Sequence, residues 1–196
     1  MNREQIQSKL SEKIIGIAGC GGLGTHAALS LARAGVGTFF LVDFDIVQEN
    51  ALHRQCFLRS QAGRLKMNAL KDNIQDANPD AKVYAFDVRL CPSDVAELFQ
   101  SCDVLIEAVD AAKTKQTIIE SAIKYMSDTP VVSGVGLAGY GKTEDLKVHR
   151  KNNLYICGDL KSQVSEDLPH LAPRIALVAA MQANTVLEIL LEGEES

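Results

Sequence analysis

The sequence predicts an α/β fold with a doubly wound, mostly parallel sheet and helices on both faces. Three observations predict it. Short apolar runs rich in β-branched residues alternate with longer stretches of helical spacing, in the order βαβαβαβαβ. A glycine-rich turn, "GCGGLG" at 19–24, joins the first run to the first helical stretch. The second and fourth runs each lead into acids, Asp43 and Asp110. Right-handed crossovers between parallel strands bring such turns and acids together at the C-terminal edge of the sheet, where Rossmann-like folds place ligands.

Each element has its own signal. Residues 3–12 have helix-forming composition, and "KIIGIAG" is a buried strand ending in glycine. From Leu23 to Ala34 small and apolar residues recur at helical spacing until Gly35 stops the helix. "TFFLVDFD" is the second strand. Residues 46–60, with "NALHRQ", lack periodicity and form a functional loop, and 61–77 is a helix ended by Asn78-Pro79. "KVYAFDV" is the third strand, 92–100 a short helix opened by Pro92 and Ser93, and "CDVLIEAVD" the fourth strand. A helix over 114–126 precedes "TPVVSGVG". "EDLKVHR" and "NLYICG" form a hairpin around Lys151-Asn152, and a long apolar helix covers 174–191. Without internal repeats, the chain is expected to be one domain over 1–196, with 134–170 as a flap or edge extension.

Composition narrows the function. The 196 residues, 46% hydrophobic and 23% charged, can bury one sizeable core. A net charge of −5 excludes nucleic-acid binding by general basicity, so any anion site is local. Five cysteines without a CxxC pair argue against structural zinc, and their odd number, with no signal peptide, points to reduced thiols in the cytoplasm. No apolar run approaches the roughly 20 residues that span a bilayer, so no membrane association is expected.

Gly19, Gly21 and Gly24 fit GxGxxG between a strand and a helix, where glycines permit a tight turn and let backbone N–H groups meet a phosphate. Asp43, ending the next strand, is placed to accept both ribose hydroxyls. The same glycines would serve helix–sheet packing alone, and a dinucleotide dehydrogenase would carry the same fingerprint. Downstream residues discriminate. Beyond Asp45 come Arg54 and Gln55, then Lys66, and Asp110 after the fourth strand. Either cation alone would be an ordinary surface charge. Two cations and a carboxylate gathered at one edge suit a triphosphate with magnesium, because nucleotidyl transfer builds charge on the α-phosphate and on pyrophosphate.

These residues resemble those of the ThiF/MoeB/HesA family, bacterial relatives of ubiquitin-activating enzymes. "GCGGLG", "RAGVGTFFLVDFDIV", "RQ", "GRLK", "NP" and "EAVDAAKTK" occur in the family's order and spacing across residues 14 to about 120. The remainder is similar to the short, zinc-free ThiF branch of thiamine biosynthesis. The resemblance implies ATP-dependent adenylylation of the C-terminal glycine of a ubiquitin-like sulfur carrier of the ThiS type, by a homodimer. It implies that Gly19, Gly21, Gly22 and Gly24 line the phosphates, that Asp43 holds the ribose, that Arg54 and Lys66 contact phosphate, and that Asp110 binds Mg²⁺. Asp45 and Gln55 would be positioning groups.

The sequence departs from the family at two asparagines, where Ala51 and Ala111 stand, and Asn50 replaces the first only if the loop shifts. These losses motivate a second reading, a non-catalytic member that binds nucleotide or carrier. An NAD-dependent oxidoreductase is a third, although no substrate domain is apparent. Cys157 in "YICGD" is the candidate for the thiol chemistry some members use, against the commoner role of a buried packing cysteine. His53, beside Arg54, is a candidate phosphate contact or an ordinary loop histidine. His26, His149 and His170 show no metal spacing.

Overall fold

A computed structural model describes residues 1–192. The strands are β1 (Ile14–Ala18), β2 (Thr38–Asp43), β3 (Lys82–Asp87), β4 (Val104–Glu107), β5 (Val131–Gly134), β6 (Lys147–Lys151) and β7 (Leu154–Gly158). The helices are α1 (Arg3–Ser11), α2 (Gly22–Ala34), α3 (Lys66–Ala77), α4 (Pro92–Phe99), α5 (Ala112–Tyr125) and α6 (Ala172–Glu192). One sheet runs in the order β3-β2-β1-β4-β5-β7-β6, parallel throughout except for β6 against β7. This is the expected Rossmann-like arrangement. The chain leaves β1 in one direction and returns through β4 on its other side, which opens a crevice beyond the C-terminal ends of these two strands.

The two faces bury separate apolar layers, as the near-continuous hydrophobic strands require. Ile15, Ile17 and Leu41 pack under α2, α3 and α6, while Val42 and Leu105 pack under α4 and α5. Gly35 closes α2 at φ 107°, its N–H bonding back to Leu31 and Ala32, a left-handed cap that suits glycine. The hairpin β6–β7 extends the sheet edge, and β6 is exposed along its whole length, with Lys147, Arg150 and Lys151 discouraging further strand pairing.

Three features differ from expectation, the first two for local reasons. The segment before α3 forms a separate 3-10 turn at Arg59–Gln61, pinned by the Gln61 amide between Leu58 N–H and Asn73. Gly63 at φ 84° then redirects the chain, so the helix starts at Lys66. Strand β4 ends early because the Glu107 side chain accepts the Val109 N–H at 2.8 Å and turns the backbone. The third concerns α6, whose 21 residues make it long and apolar enough, by length and composition, to cross a membrane, contrary to the expectation that no run approaches that length. Here it packs along α2 and buries Val178, Ala179, Gln182 and Val186. Gln182 spends its amide N–H groups on the carbonyls of Glu107 and Val132.

Candidate functional site

The crevice holds a cavity of about 330 Å³, lined by Gly19 and Gly21 from the glycine turn, Asp43 and Asp45 after β2, Lys66 at the start of α3 and Asp110 after β4. Its size lies at the lower end of small-molecule sites. The turn divides its glycines by role. Gly19 adopts φ 99°, and a Cβ on Gly24 would lie 1.9 Å from the Gly19 carbonyl oxygen, so Gly24 permits the close start of α2. Gly22 is packed likewise, its added Cβ 3.1 Å from the Arg54 carbonyl and from Ile175. Gly21 differs: a Cβ there would meet only Gln55 Nε2, at 3.9 Å. It caps α2 without a side-chain hydrogen bond, which leaves the first N–H groups of the helix to solvent or an anion.

Asp43 is fastened in place by the Cys20 N–H at 2.6 Å and the Asp45 N–H at 2.8 Å, one to each carboxylate oxygen. Burial raises its pKa, against the lowering effect of these two hydrogen bonds. Lys66 is buried along its stem, and its ammonium donates to Asp45 Oδ2 at 2.8 Å. A backbone bond from the Lys66 N–H to the Asp45 carbonyl brings the two residues together despite their separation in sequence. At the other end of the cavity the Arg89 guanidinium lies 3.9 Å above the Phe44 ring, beside Val88 and Leu90. A flat stack with apolar neighbours suits an aromatic heterocycle.

The remaining sequence candidates divide. Arg54 and Gln55 do not line the cavity but flank the glycine turn, Arg54 through its carbonyl under Gly22 and Gln55 through its amide beside Gly21. Gln55 Oε1 is buried without a hydrogen-bond partner. Asn50 is exposed in the 3-10 turn Glu49–Ala51, away from the cavity lining, and its carbonyl contacts the ring of His53. Cys157 needs correction as a candidate thiol. It is fully buried beside Thr185 of α6, and burial pushes its thiol up to about 11, which makes it a packing side chain.

Several residues escaped the sequence reading. His170, passed over for want of metal spacing, has its pKa lowered by burial, while Asp110 acts to raise it and Arg54 to lower it further, so the fold groups these three. Arg89 follows an ordinary strand and carries no motif. Phe44 lay inside the quoted "DFD" but drew no attention beside its two acids. Glu107, fully buried, opens "EAVDAAKTK" and lay inside the strand expected to run on to Asp110.

The model of the ThiF family matches residues 1–196. An adenylyltransferase and sulfurtransferase of Meyerozyma guilliermondii is 35% identical over 137 residues, which is 69% of this chain and 32% of the relative. One from Eremothecium gossypii is 32% identical over 193 residues, covering 94% of this chain and 43% of the relative. The chain therefore spans less than half the length of these curated relatives. Among solved structures, the E. coli tRNA N6-threonylcarbamoyladenosine dehydratase TcdA in complex with ATP superposes with a TM-score of 0.89 over 98% of this chain and 91% of that one. At 20% identity this is a likeness of fold.

Proposed function

The chain belongs to the ThiF family, and from that premise we propose that residues 1–196 form one nucleotide-binding domain that adenylylates the C-terminal glycine of a ubiquitin-like sulfur carrier, of the ThiS type serving thiazole synthesis, and that acts as a homodimer. The observation that carries the reading is the juxtaposition of a cavity-facing Gly21, an uncapped α2 N-terminus and the buried stem of Lys66 in one crevice. A nicotinamide cofactor carries only a diphosphate and transfers hydride, so it does not need an Arg, a Lys and a metal-binding acid gathered at its phosphates, whereas transfer of an adenylyl group requires fixed cations where phosphate charge accumulates.

The residues fit ATP. Asp43, already held rigid by two backbone N–H groups, has free lone pairs for the ribose diol. Phe44 and Arg89 receive the base, Gly19 and Gly21 let the phosphates approach the backbone, and Lys66 moves from Asp45 towards the phosphates. Arg54, on the segment packed under Gly22, contacts phosphate, with Gln55 as a donor at the edge of the turn. The remaining glycines, Gly22 and Gly24, keep α2 close enough for its N-terminus to be useful. Asp110 fits Mg²⁺, which commonly takes one or two carboxylates plus substrate phosphates and would neutralise charge on them. A carrier carboxylate oxygen then bonds to the α-phosphorus as the bond to pyrophosphate breaks. Pyrophosphate leaves with the electron pair, and the acyl-adenylate remains for attack by sulfur.

A protein carboxylate is favoured over tRNA as substrate because the chain is acidic, at −5, and brings no general basicity to a polynucleotide. Exposed Leu58 and Leu177 leave apolar surface for a second copy to cover. The test is carrier-dependent ATP–pyrophosphate exchange with ThiS and a molybdopterin-type carrier in parallel. Exchange with one carrier, abolished in Lys66→Ala and Asp110→Ala, is expected. ATP binding without exchange would replace this reading with that of a non-catalytic binder, for which Ala51 and Ala111 are the motive, and tight NAD binding would favour an oxidoreductase.

A further inference from the structure

We propose that Glu107 is a positioning residue, which fixes the turn carrying Asp110 from beneath. The inference rests on the reading of Asp110 as the acid that holds the metal. Glu107 ends β4 with no solvent exposure and does not line the cavity. A carboxylate in such a place is unfavourable unless fully paired, and an apolar residue would suit the layer better. Its partners explain its presence. Oε1 accepts the Val109 N–H at 2.8 Å, one residue before Asp110, while Oε2 accepts from the Lys115 ammonium, in the first turns of α5 just after it. Ser133 of β5 donates to the same Oε2 at 2.6 Å, and Gln182 of α6 donates to the Glu107 carbonyl at 3.2 Å.

One buried side chain thus grips the chain on both sides of Asp110 and ties the grip to β5, while the Glu107 carbonyl is held by α6. A backbone bond from the Ala108 N–H to the Ala18 carbonyl holds the start of the turn, but its far end has no side-chain cap. Ala111 is the N-cap of α5 and offers no side-chain hydrogen bond, where a serine, aspartate or asparagine would ordinarily supply one. Glu107 supplies from below the order that a cap would have supplied locally. It touches no substrate; it acts through the backbone and through Lys115.

The variant Glu107→Gln keeps the shape but turns an N–H donor or a weaker acceptor towards Lys115 and Ser133. Three readouts on the whole chain are compared with Asp110→Asn and Ser133→Ala: hydrogen exchange of the 108–112 amides, calorimetric affinity for ATP with and without Mg²⁺, and the Mg²⁺ concentration for half-maximal exchange activity. In Glu107→Gln, amides 108–112 are expected to exchange at least tenfold faster. Metal-free ATP should bind within threefold of the parent, and the Mg²⁺ requirement should rise at least tenfold. Ser133→Ala, which leaves both grips on the turn, should change the Mg²⁺ requirement by less than threefold. If Glu107→Gln fails to fold, Lys115→Met, which removes only one grip, carries the test with a smaller rise in Mg²⁺ requirement. An unchanged Mg²⁺ requirement in the folded variant overturns the inference, provided Asp110→Asn raises it. If Asp110→Asn leaves it unchanged too, the assignment of the metal to Asp110 falls and takes the inference with it, although faster exchange at 108–112 would still separate the grip from the metal.

Discussion

Gly21 and Gly24 stand three residues apart in one motif, yet replacing each with alanine should damage different properties. At Gly24 the new methyl would lie 1.9 Å from the Gly19 carbonyl oxygen and 3.0 Å from its carbon, both backbone atoms that no side-chain rotation can move. The start of α2 must retreat by about 1 Å, pulling Leu23, Ala27 and Leu31 out of register with the sheet beneath. Overpacking of this kind costs about 3 kcal/mol at the upper end of the usual range, which for a chain of this size lowers Tm by roughly 6–12 °C. At Gly21 φ is −87°, and the methyl would meet only Gln55 Nε2 at 3.9 Å. The expected change there is under about 1 kcal/mol, because the methyl enters open space. It does, however, enter the space assigned to phosphate, so ATP affinity should fall at least tenfold. Differential scanning fluorimetry with isothermal calorimetry separates the two effects. A Gly24→Ala protein that melts like the parent would refute the packing argument. A Gly21→Ala protein that binds ATP like the parent would refute the assignment of phosphate to this face of the turn.

Phe44→Ala removes the ring beneath Arg89; loss of base stacking, about 1–3 kcal/mol, should raise KM for ATP roughly tenfold with kcat little changed, and an unchanged KM would remove the base from this end of the cavity. Arg174→Met breaks the buried contact of Arg174 with Asp159 at 2.6 Å, which ties the segment after β7 to α6. Burial would raise the Asp159 pKa, but it is outweighed by the N–H groups of Ser162 and Lys161, the Ser162 hydroxyl and Arg174, which hold the carboxyl at about 2. Because the folded pKa is depressed, the associated stability of about 2 kcal/mol is present above pH 4 and lost as pH falls towards 2. Urea unfolding should show Arg174→Met about 3 kcal/mol less stable at pH 7, with the gap to the parent narrowing below pH 4. A gap independent of pH would mean that the ion pair is not its source.

The sequence alone determined the doubly wound sheet, the glycine turn and the acids at the strand ends. Each of these is written in local signals: alternation of apolar runs, a glycine where φ must be positive, a strand that stops in a carboxylate. It also determined the edge hairpin, from two short alternating runs and the residues between them. Tertiary structure decided what those signals do together. Lys66 reaches the cavity because a backbone bond to Asp45 draws the start of α3 across the mouth of β2, whereas Arg54, nearer in sequence, sets its carbonyl against Gly22 and does not line the cavity. Arg89 meets Phe44, and Glu107 grips the Asp110 turn with help from Ser133 and Gln182, through contacts that no spacing rule contains. Cys157, for which the sequence left reactive thiol and buried packing residue as alternatives, is fully buried, because the register of β7 against β5 turns it towards α6. Local propensities set where strands and helices begin and end. The crossovers and strand register between them, fixed only when the apolar layers close, set which distant side chains face one another.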